Sequence, residues 1–363
     1  MGIQCGIVGL PNVGKSTLFN ALTASEVAAE NFPFCTIDSN IGIVNVPDPR
    51  LLALAEIVHA KRVIPTVVEF VDIAGLVKGA STGEGLGNRF LAHIRETHAI
   101  AHLVRCFSSD DITHVSGQID PIEDIEVVNT ELLLADLESV ERAFEKAARQ
   151  AKTNQKDAVI WRDLLRRILD SLEAGTPVRA MEFQPQEYGL LQDIHLITAK
   201  PVMYLANVAE GEPTDNPYLE SVRVYAEQEG TPVVAICAAL EAELAQLDPA
   251  EQGEFLRELG LTEPGLNRVI AATYDLLTLQ TFYTASEQEA RAWTVPRGAT
   301  AYDAAGEIHT DFQKGFIRAE VIAYDRFIAR LGEQGAKEAG EMRLEGKTYI
   351  LAEGDVVHFR FNV

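Results

Sequence analysis

The chain has 363 residues, of which 47% are hydrophobic and 23% charged, as in an ordinary globular protein of two or three domains. Its formal net charge of −23 disfavours indiscriminate binding to polyanions, so we expect no DNA partner, and any nucleic-acid contact requires a local basic patch. No run approaches the roughly 20 apolar residues that cross a bilayer, so no membrane contact is expected.

The first residues predict a strand and carry no targeting pattern. Four cysteines are scattered without metal-ligand spacing, which is typical of reduced thiols. Both features predict a cytoplasmic protein.

Six short apolar runs, most of them rich in valine and isoleucine, predict buried strands of a largely parallel sheet. They span residues 3–8, 41–46, 66–71, 101–107, 201–206 and 232–236. Helical segments lie between several of these runs. The pattern therefore predicts a doubly wound α/β domain, built from residues 1–125 and 200–277.

The first strand leads into the phosphate-binding pattern G-x-x-x-x-G-K-[ST], which residues 9–16 match in full, and a helical segment follows. Lys15 is predicted to reach the β- and γ-phosphates, and the Ser16 hydroxyl to ligate Mg²⁺. The alternative, a chance glycine-rich turn, is disfavoured by this strand-before and helix-after context. The predicted phosphate-binding residues are Asn12, Val13, Gly14, Lys15, Ser16 and Thr17.

Two further elements predict the rest of the magnesium site. Residues 67–75 form an apolar strand that ends in D-x-x-G, so Asp72 is predicted to contact the Mg²⁺ shell and the Gly75 N–H to sense the γ-phosphate. Thr36 lies in the loop after the first helix and is predicted to complete the Mg²⁺ shell. The alternative is a loop threonine that satisfies a turn.

Base choice is predicted from Asn207, Val208 and Glu210, which stand where guanine-specific proteins carry N-K-x-D. The longer Glu210 cannot keep the bidentate geometry of an aspartate on guanine. Asn207 can still address N7 and the 6-amino group of adenine, and Val208 offers an apolar contact, so adenine is predicted. The alternative is that this loop plays no part in base choice.

The residue after D-x-x-G is Leu76, where many GTPases carry a glutamine that orients the attacking water. Another polar group must therefore position the water, or turnover is slow. His114, in a polar loop after the fourth strand, is the catalytic candidate, and a solvated loop histidine is the alternative. Asn12 suggests in addition that a monovalent cation such as K⁺ binds beside the phosphates.

Residues 126–199 are predicted to form an inserted helical hairpin, with amphipathic helices over 127–149 and 158–172 and a turn at 152–157. Its cations predict an RNA-facing stripe. They are Arg142, Lys146, Arg149, Lys152, Lys156, Arg162, Arg166, Arg167 and Arg179. The alternative is a solvated face, paired with Glu141, Glu145, Asp157 and Asp163.

Residues 278–363 contain strand-like runs, glycine turns and one helical pattern near 300–308, which predict a small α+β domain.

Over essentially its whole length the chain resembles the YchF/Obg-like ATPases, a branch of the Obg-related P-loop proteins. The matching motifs are residues 9–17, 31–36, 72–80, 207–210, 308–312 and 314–317. The resemblance implies a Ras-like nucleotide domain, an inserted helical hairpin or coiled coil, and a C-terminal TGS domain with a β-grasp fold.

The resemblance also implies an activity and a partner. It implies a Mg²⁺-dependent ATPase that prefers ATP over GTP. It further implies association with ribosomes, especially the large subunit, and a role as a switch in translation or stress. Two alternatives stay open: a GTPase of translation, and a nucleotide-gated binding module whose hydrolysis is incidental.

Overall fold

The computed structural model describes residues 3–24, 40–73, 86–109, 118–153, 156–192, 194–211 and 216–362. Contacts between residues divide the chain into two compact units. Unit 1 consists of Met1–Val44 and Glu69–Thr273, and unit 2 of Asn45–Val68 and Tyr274–Val363. No helix in these described ranges is both long and apolar enough to cross a membrane.

The described strands are β1 (Ile3–Val8), β2 (Ile41–Asn45), β3 (Val63–Ile64), β4 (Val67–Asp72), β5 (Ala99–Arg105), β6 (Val202–Asn207), β7 (Val233–Ile236), β8 (Leu279–Ala285), β9 (Ala290–Pro296), β10 (Phe316–Ala323), β11 (Arg343–Glu345) and β12 (Asp355–Phe361). The described helices are α1 (Lys15–Ala24), α2 (Pro49–Ile57), α3 (Leu86–Glu96), α4 (Pro121–Gln150), α5 (Lys156–Glu173), α6 (Tyr188–Gln192), α7 (Pro217–Glu229), α8 (Ala238–Leu244), α9 (Pro249–Glu258), α10 (Gly265–Leu276), α11 (Ala301–Ile308), α12 (Thr310–Lys314), α13 (Tyr324–Ala329) and α14 (Glu333–Glu338).

The main sheet of unit 1 has six strands in the order β2-β4-β1-β5-β6-β7. Strand β5 pairs in parallel with β1 and with β6, and β6 pairs in parallel with β7. Every residue of β5 and β6 is buried, as the continuous apolar runs predict for strands that are covered on both faces. The predicted α/β class is confirmed, and the six predicted strands are present with small shifts at their ends.

Helices α4 and α5 pack against each other through an apolar cluster that includes Val140, Leu165 and Ile168. Asp120 caps α4, because its carboxylate accepts hydrogen bonds from the backbone N–H groups of the first turn. The predicted position of Asp157 in the connecting turn is wrong. Helix α5 begins at Lys156, and Asp157 lies in its first turn, where a carboxylate is favoured by the positive end of the helix dipole.

Asp136 attaches α4 to the segment that precedes β6. Its buried carboxylate accepts hydrogen bonds from the backbone N–H groups of Ile197 and Thr198, at 3.0 and 2.7 Å, and from the Thr198 hydroxyl at 2.8 Å. Arg95, in the last turn of α3, donates a further bond at 3.2 Å. This carboxylate therefore holds three segments of unit 1 together.

Unit 2 contains a second six-stranded sheet with the order β11-β10-β12-β8-β9-β3. One apolar cluster joins Phe282, Val321 and Phe359 to the alanines of α11. A second cluster joins Tyr283 and Ile322 to α2 and α13.

Residues 45–68 were predicted to belong to the nucleotide domain, and the structure corrects this assignment. Leu51 and Leu54 of α2 bury their side chains against Tyr283 and its neighbours in unit 2. Strand β3 also extends the second sheet by pairing in parallel with β9. Helix α2 therefore completes the core of unit 2, although strands of the other sheet flank it in the chain.

Candidate nucleotide-binding site

The phosphate-binding pattern forms a tight turn between β1 and α1. Gly14 adopts a φ of +95°, and Asn12 also lies in the left-handed region, at +66°. A Cβ on Gly9 would lie 2.7 Å from the backbone oxygen of Leu103, and one on Gly14 would lie 2.3 Å from Asn207 Nδ2. Both glycines are required because the turn passes so close to β5 and to the end of β6.

Helix α1 buries one apolar face, and its first turn is exposed. Leu18 and Leu22 are fully buried, whereas the Ser16 and Thr17 side chains in the first turn are exposed. The backbone N–H of Leu18 donates to the Gly14 oxygen at 3.0 Å, so the earlier N–H groups remain outside the regular helix ladder. A helix beginning of this kind binds anions such as phosphate.

The structure brings Lys15 and Asp72 together at this edge of the sheet. Asp72 ends β4, its backbone N–H donates to the Asn40 oxygen at 2.8 Å, and its carboxylate accepts a hydrogen bond from Lys15 Nζ. The Asp72 side chain is 22% exposed and the Lys15 side chain is 10% exposed. The Ser16 hydroxyl and the Asp72 carboxylate are hard oxygen ligands, so these residues fit Mg²⁺.

Asn207 links the phosphate-binding turn to the beginning of α8. Its buried amide donates from Nδ2 to the Val13 oxygen at 2.9 Å and accepts from the Ala238 N–H at 3.0 Å. Sequence reasoning missed this positioning role, because no local pattern relates residues 194 positions apart. A carboxamide has two N–H donors and two acceptor lone pairs, so Asn207 keeps capacity to contact a base.

Val208 and Glu210 line a cavity of about 610 Å³ at the carboxyl ends of β6 and β7. Ile236, Cys237 and Leu240 line it from the following segment. This volume is typical of small-molecule sites, and the crevice outside the carboxyl ends of the strands is where open α/β sheets bind ligands. Two predicted base-contacting residues therefore share a cavity of suitable size.

Glu241 forms part of the cavity lining and was not identified from the sequence. It is only 3% exposed, and its carboxylate accepts hydrogen bonds from the N–H groups of Gly265 and Leu266 at 2.8 and 3.2 Å. Burial raises its pKa, while the two backbone donors oppose that shift. Glu241 thereby caps α10 and holds the beginning of that helix against the cavity.

Thr36, Gly75 and His114 lie outside the residues that the structure describes. Their predicted roles in Mg²⁺ binding, γ-phosphate sensing and water positioning therefore stay predictions.

The predicted RNA-facing stripe on α4 and α5 is largely compensated by acidic partners. Five of its arginines form ion pairs, which favours the solvated-face alternative for that part of the stripe. The pairs are Arg142–Glu138, Arg149–Glu145, Arg162–Asp163, Arg166–Asp170 and Arg167–Glu187. Lys146, Lys152 and Lys156 are exposed around the connection between the two helices.

Comparison with known proteins agrees with this arrangement. Residues 4–135 match a family model described as 50S ribosome-binding GTPase, and residues 279–362 match YchF-GTPase_C, described as a protein of unknown function (DUF933). The chain is 61% identical over 363 residues to the ribosome-binding ATPase YchF of Haemophilus ducreyi and 52% identical over 366 residues to that of Bacillus subtilis, with full coverage of both chains in each case.

A solved structure is similar over the same extent. The YchF GTPase of Schizosaccharomyces pombe is 35% identical, with a TM-score of 0.88 and coverage of 99% of this chain and 98% of that one. Identity at these levels along entire chains leaves one assignment: the chain belongs to the YchF family.

Proposed function

We propose that this chain is a Mg²⁺-dependent ATPase that binds ribosomes and acts as a nucleotide-dependent switch in the cytoplasm. The observation that carries the proposal is its 61% identity, along the full length of both chains, to a protein named ribosome-binding ATPase. The meeting of Lys15 with Asp72 beside the phosphate-binding turn supports it, because a triphosphate and its metal require a cation and a carboxylate at one place.

Each residue at the turn has a separate task. Backbone N–H groups of residues 12–17 bind phosphate oxygens, and the Lys15 ammonium neutralises their charge. Ser16 and Asp72 hold Mg²⁺, together with Thr36 as predicted from the sequence. When bound, the ion stabilises negative charge on the transferred phosphoryl group. Lys15 and Asp72, which are hydrogen-bonded to each other, would exchange that bond for contacts with the phosphates and the ion.

Asn207, Val208 and Glu210 select adenine over guanine in this proposal. The test is a pair of dissociation constants, for ATP and for GTP, measured with the purified chain and Mg²⁺. Tighter binding of ATP supports the ATPase, and tighter binding of GTP supports a GTPase of translation. The Schizosaccharomyces pombe protein is named a GTPase.

Ribosome binding is tested by co-sedimentation with 70S ribosomes and with separated subunits, in the presence of ATP, of ADP and of no nucleotide. A switch predicts binding that differs between nucleotide states, with the large subunit as the preferred partner. Equal sedimentation in all states contradicts the switch. A hydrolysis-deficient variant that still functions in cells would support the nucleotide-gated binding module.

The exposed lysines of the helix connection are the proposed contact with ribosomal RNA. Reversing Lys146, Lys152 and Lys156 to glutamate is expected to weaken co-sedimentation and to leave ATP hydrolysis unchanged. Unaltered ribosome binding by this triple variant would exclude these lysines as the contact.

His114 and Asn12 carry two further proposals about hydrolysis. His114 positions the attacking water, and an unchanged single-turnover rate in His114→Ala would contradict this role. Asn12, which is exposed within the phosphate-binding turn, helps to hold K⁺ beside the phosphates. Equal hydrolysis rates in NaCl and in KCl would exclude the K⁺ site.

A further inference from the structure

One wall of the cavity beside Val208 is formed by residues that no sequence motif identified. Leu259 and Leu261 line this cavity, and they are 38% and 36% exposed. Exposed apolar side chains that line a cavity of this size can be covered by a bound ligand.

The two leucines are held in place by the end of α9. Leu259 is the C-cap of that helix, and Gly260 follows with a φ of +69°, which reverses the chain direction. The Leu261 N–H then donates to the Leu256 oxygen at 2.8 Å. Leu256 packs with Leu240 in a buried cluster, so the turn that contains Leu259 and Leu261 is attached to the core.

The remaining surface of the cavity indicates the shape of its ligand. Val208 and Ile236 add apolar surface, whereas Glu210 and Arg268 place charged groups among the lining residues. The Arg268 guanidinium donates to the Ala235 oxygen at 3.1 Å, which orients it at the end of β7. Apolar walls together with a few polar groups suit a flat heteroaromatic ring that has hydrogen-bonding groups only along its edge.

The cavity lining is linked to the phosphate-binding turn through the end of β6. Asn207 contacts Val13 of the turn, and the next residue, Val208, lines the cavity. We propose that Leu259 and Leu261 are specificity-determining residues that cover one face of the purine ring of the nucleotide. This inference rests on the proposed function, namely that the turn binds a nucleoside triphosphate.

The proposal is tested by separating the base from the triphosphate. Dissociation constants for ATP, CTP and inorganic tripolyphosphate, each with Mg²⁺, are measured for the full chain and for the variant Leu259→Ser/Leu261→Ser. We expect ATP binding to weaken about tenfold, since both leucines lose the apolar surface that the ring covers. Tripolyphosphate affinity stays unchanged, and the preference for ATP over CTP decreases because the larger purine covers more of the wall.

Two variants control for effects on folding. Leu134→Ser changes a leucine on α4 that is 42% exposed and far from this cavity in the chain, and it is expected to leave all three affinities unchanged. Leu261→Met keeps an apolar side chain of similar volume and is expected to keep ATP affinity close to that of the parent. Retained tripolyphosphate binding shows that the double variant is folded.

The possible results lead to different conclusions. Loss of ATP affinity with retained tripolyphosphate affinity supports the purine wall. Three results would overturn the proposed purine wall and leave the proposed ATPase intact. They are unchanged ATP affinity in the double variant, an equal loss of affinity for ATP and tripolyphosphate, and a strong loss of ATP affinity in Leu261→Met. A parent chain that binds tripolyphosphate but not ATP overturns both proposals.

Discussion

Two aspartates of unit 1 each pair with a cationic side chain, but they differ in exposure and in the number of other hydrogen-bond donors. Asp72, at the carboxyl edge of the sheet, is 22% exposed, and its carboxylate is bonded to the Lys15 ammonium. Asp136, on α4, has no exposed side-chain surface, and backbone, hydroxyl and guanidinium donors surround it.

The difference shows how one residue type serves either the fold or a ligand. The acceptor capacity of Asp136 is used by groups of the chain, so any exchange of partners would leave buried donors unsatisfied. Asp72 is partly exposed and keeps capacity for further bonds, so it can exchange the Lys15 bond for a metal ion. Exposure and the number of donors therefore distinguish a site carboxylate from a structural one.

Removing the structural carboxylate should produce the largest effect. Asp136→Ala is expected to lower the free energy of unfolding by about 3–5 kcal/mol, because it removes the anionic partner of Arg95 and leaves the buried N–H groups of Ile197 and Thr198 without their acceptor. Urea denaturation measures the change. Glu138→Ala is the matched control, since Glu138 lies on the same helix with a side chain that is 59% exposed, and it should change stability by less than about 1 kcal/mol. Equal losses in both variants would contradict the distinction.

Removing the cation at the site should affect activity rather than stability. Lys15→Ala is expected to slow ATP hydrolysis by about 10²–10³-fold, since a group that stabilises charge on the phosphates is lost. Its effect on the free energy of unfolding should be smaller than that of Asp136→Ala, because the carboxylate that loses its partner, Asp72, is 22% exposed and can be hydrated. Single-turnover assays and urea denaturation separate the two effects, with Lys146→Ala as the exposed-lysine control. A strongly destabilised Lys15→Ala would place this pair with the structural ones.

A buried histidine extends the comparison to pH. His102, on β5, is 2% exposed, and burial lowers its pKa from 6.5 to about 3, assisted by the charge of Arg179. The unfolded chain therefore binds a proton that the folded chain excludes between these two values, so stability falls as pH decreases through this window. Between pH 7.5 and pH 5 this group is expected to contribute a loss of about 2 kcal/mol.

His102→Leu removes the titrating group and keeps an apolar side chain in the strand. Urea denaturation at both pH values should show a smaller difference for the variant than for the parent. An identical pH dependence would mean that His102 is protonated without cost in the folded chain.

The smallest effect is expected from an exposed ion pair. On α4, Arg149 Nη2 lies 3.6 Å from Glu145 Oε2, and the two side chains are 74% and 73% exposed, respectively. A double-mutant cycle with alanine at both positions should give a coupling energy of about 0.3–0.5 kcal/mol, and raised salt should reduce it. A coupling above about 1 kcal/mol would show that exposure is a poor guide to the strength of such pairs in this chain.

The phosphate-binding turn and the strands of the first sheet could be predicted because their signals are local. The pattern over residues 9–16 predicts a turn between a strand and a helix. Strand β1 ends at Val8, directly before it, and helix α1 begins at Lys15, within its last two residues. The helices α4 and α5 were predicted from their apolar spacing, but both begin earlier than predicted, at Pro121 instead of residue 127 and at Lys156 instead of residue 158. Short-range periodicity suffices for elements that are long or that belong to a specific motif.

The wall formed by Leu259 and Leu261 could not be predicted, because two leucines near a helix end are ordinary core candidates in a sequence. The ion pairs of the basic stripe were only partly anticipated. Glu145 and Asp163 were among the expected partners, whereas Glu138, Asp170 and Glu187 were not. Which acid reaches which arginine depends on side-chain placement.

The sequence by itself determined that a phosphate-binding turn joins the first strand to the first helix, because glycine spacing and the lysine specify that turn locally. Only the tertiary structure decided that Asn207 ties the turn to α8, and that residues 45–68 complete the core of unit 2. These contacts join residues that are distant in the chain. They form because apolar faces pack together and buried polar groups need hydrogen-bond partners. A local sequence pattern does not specify which distant residues supply these contacts.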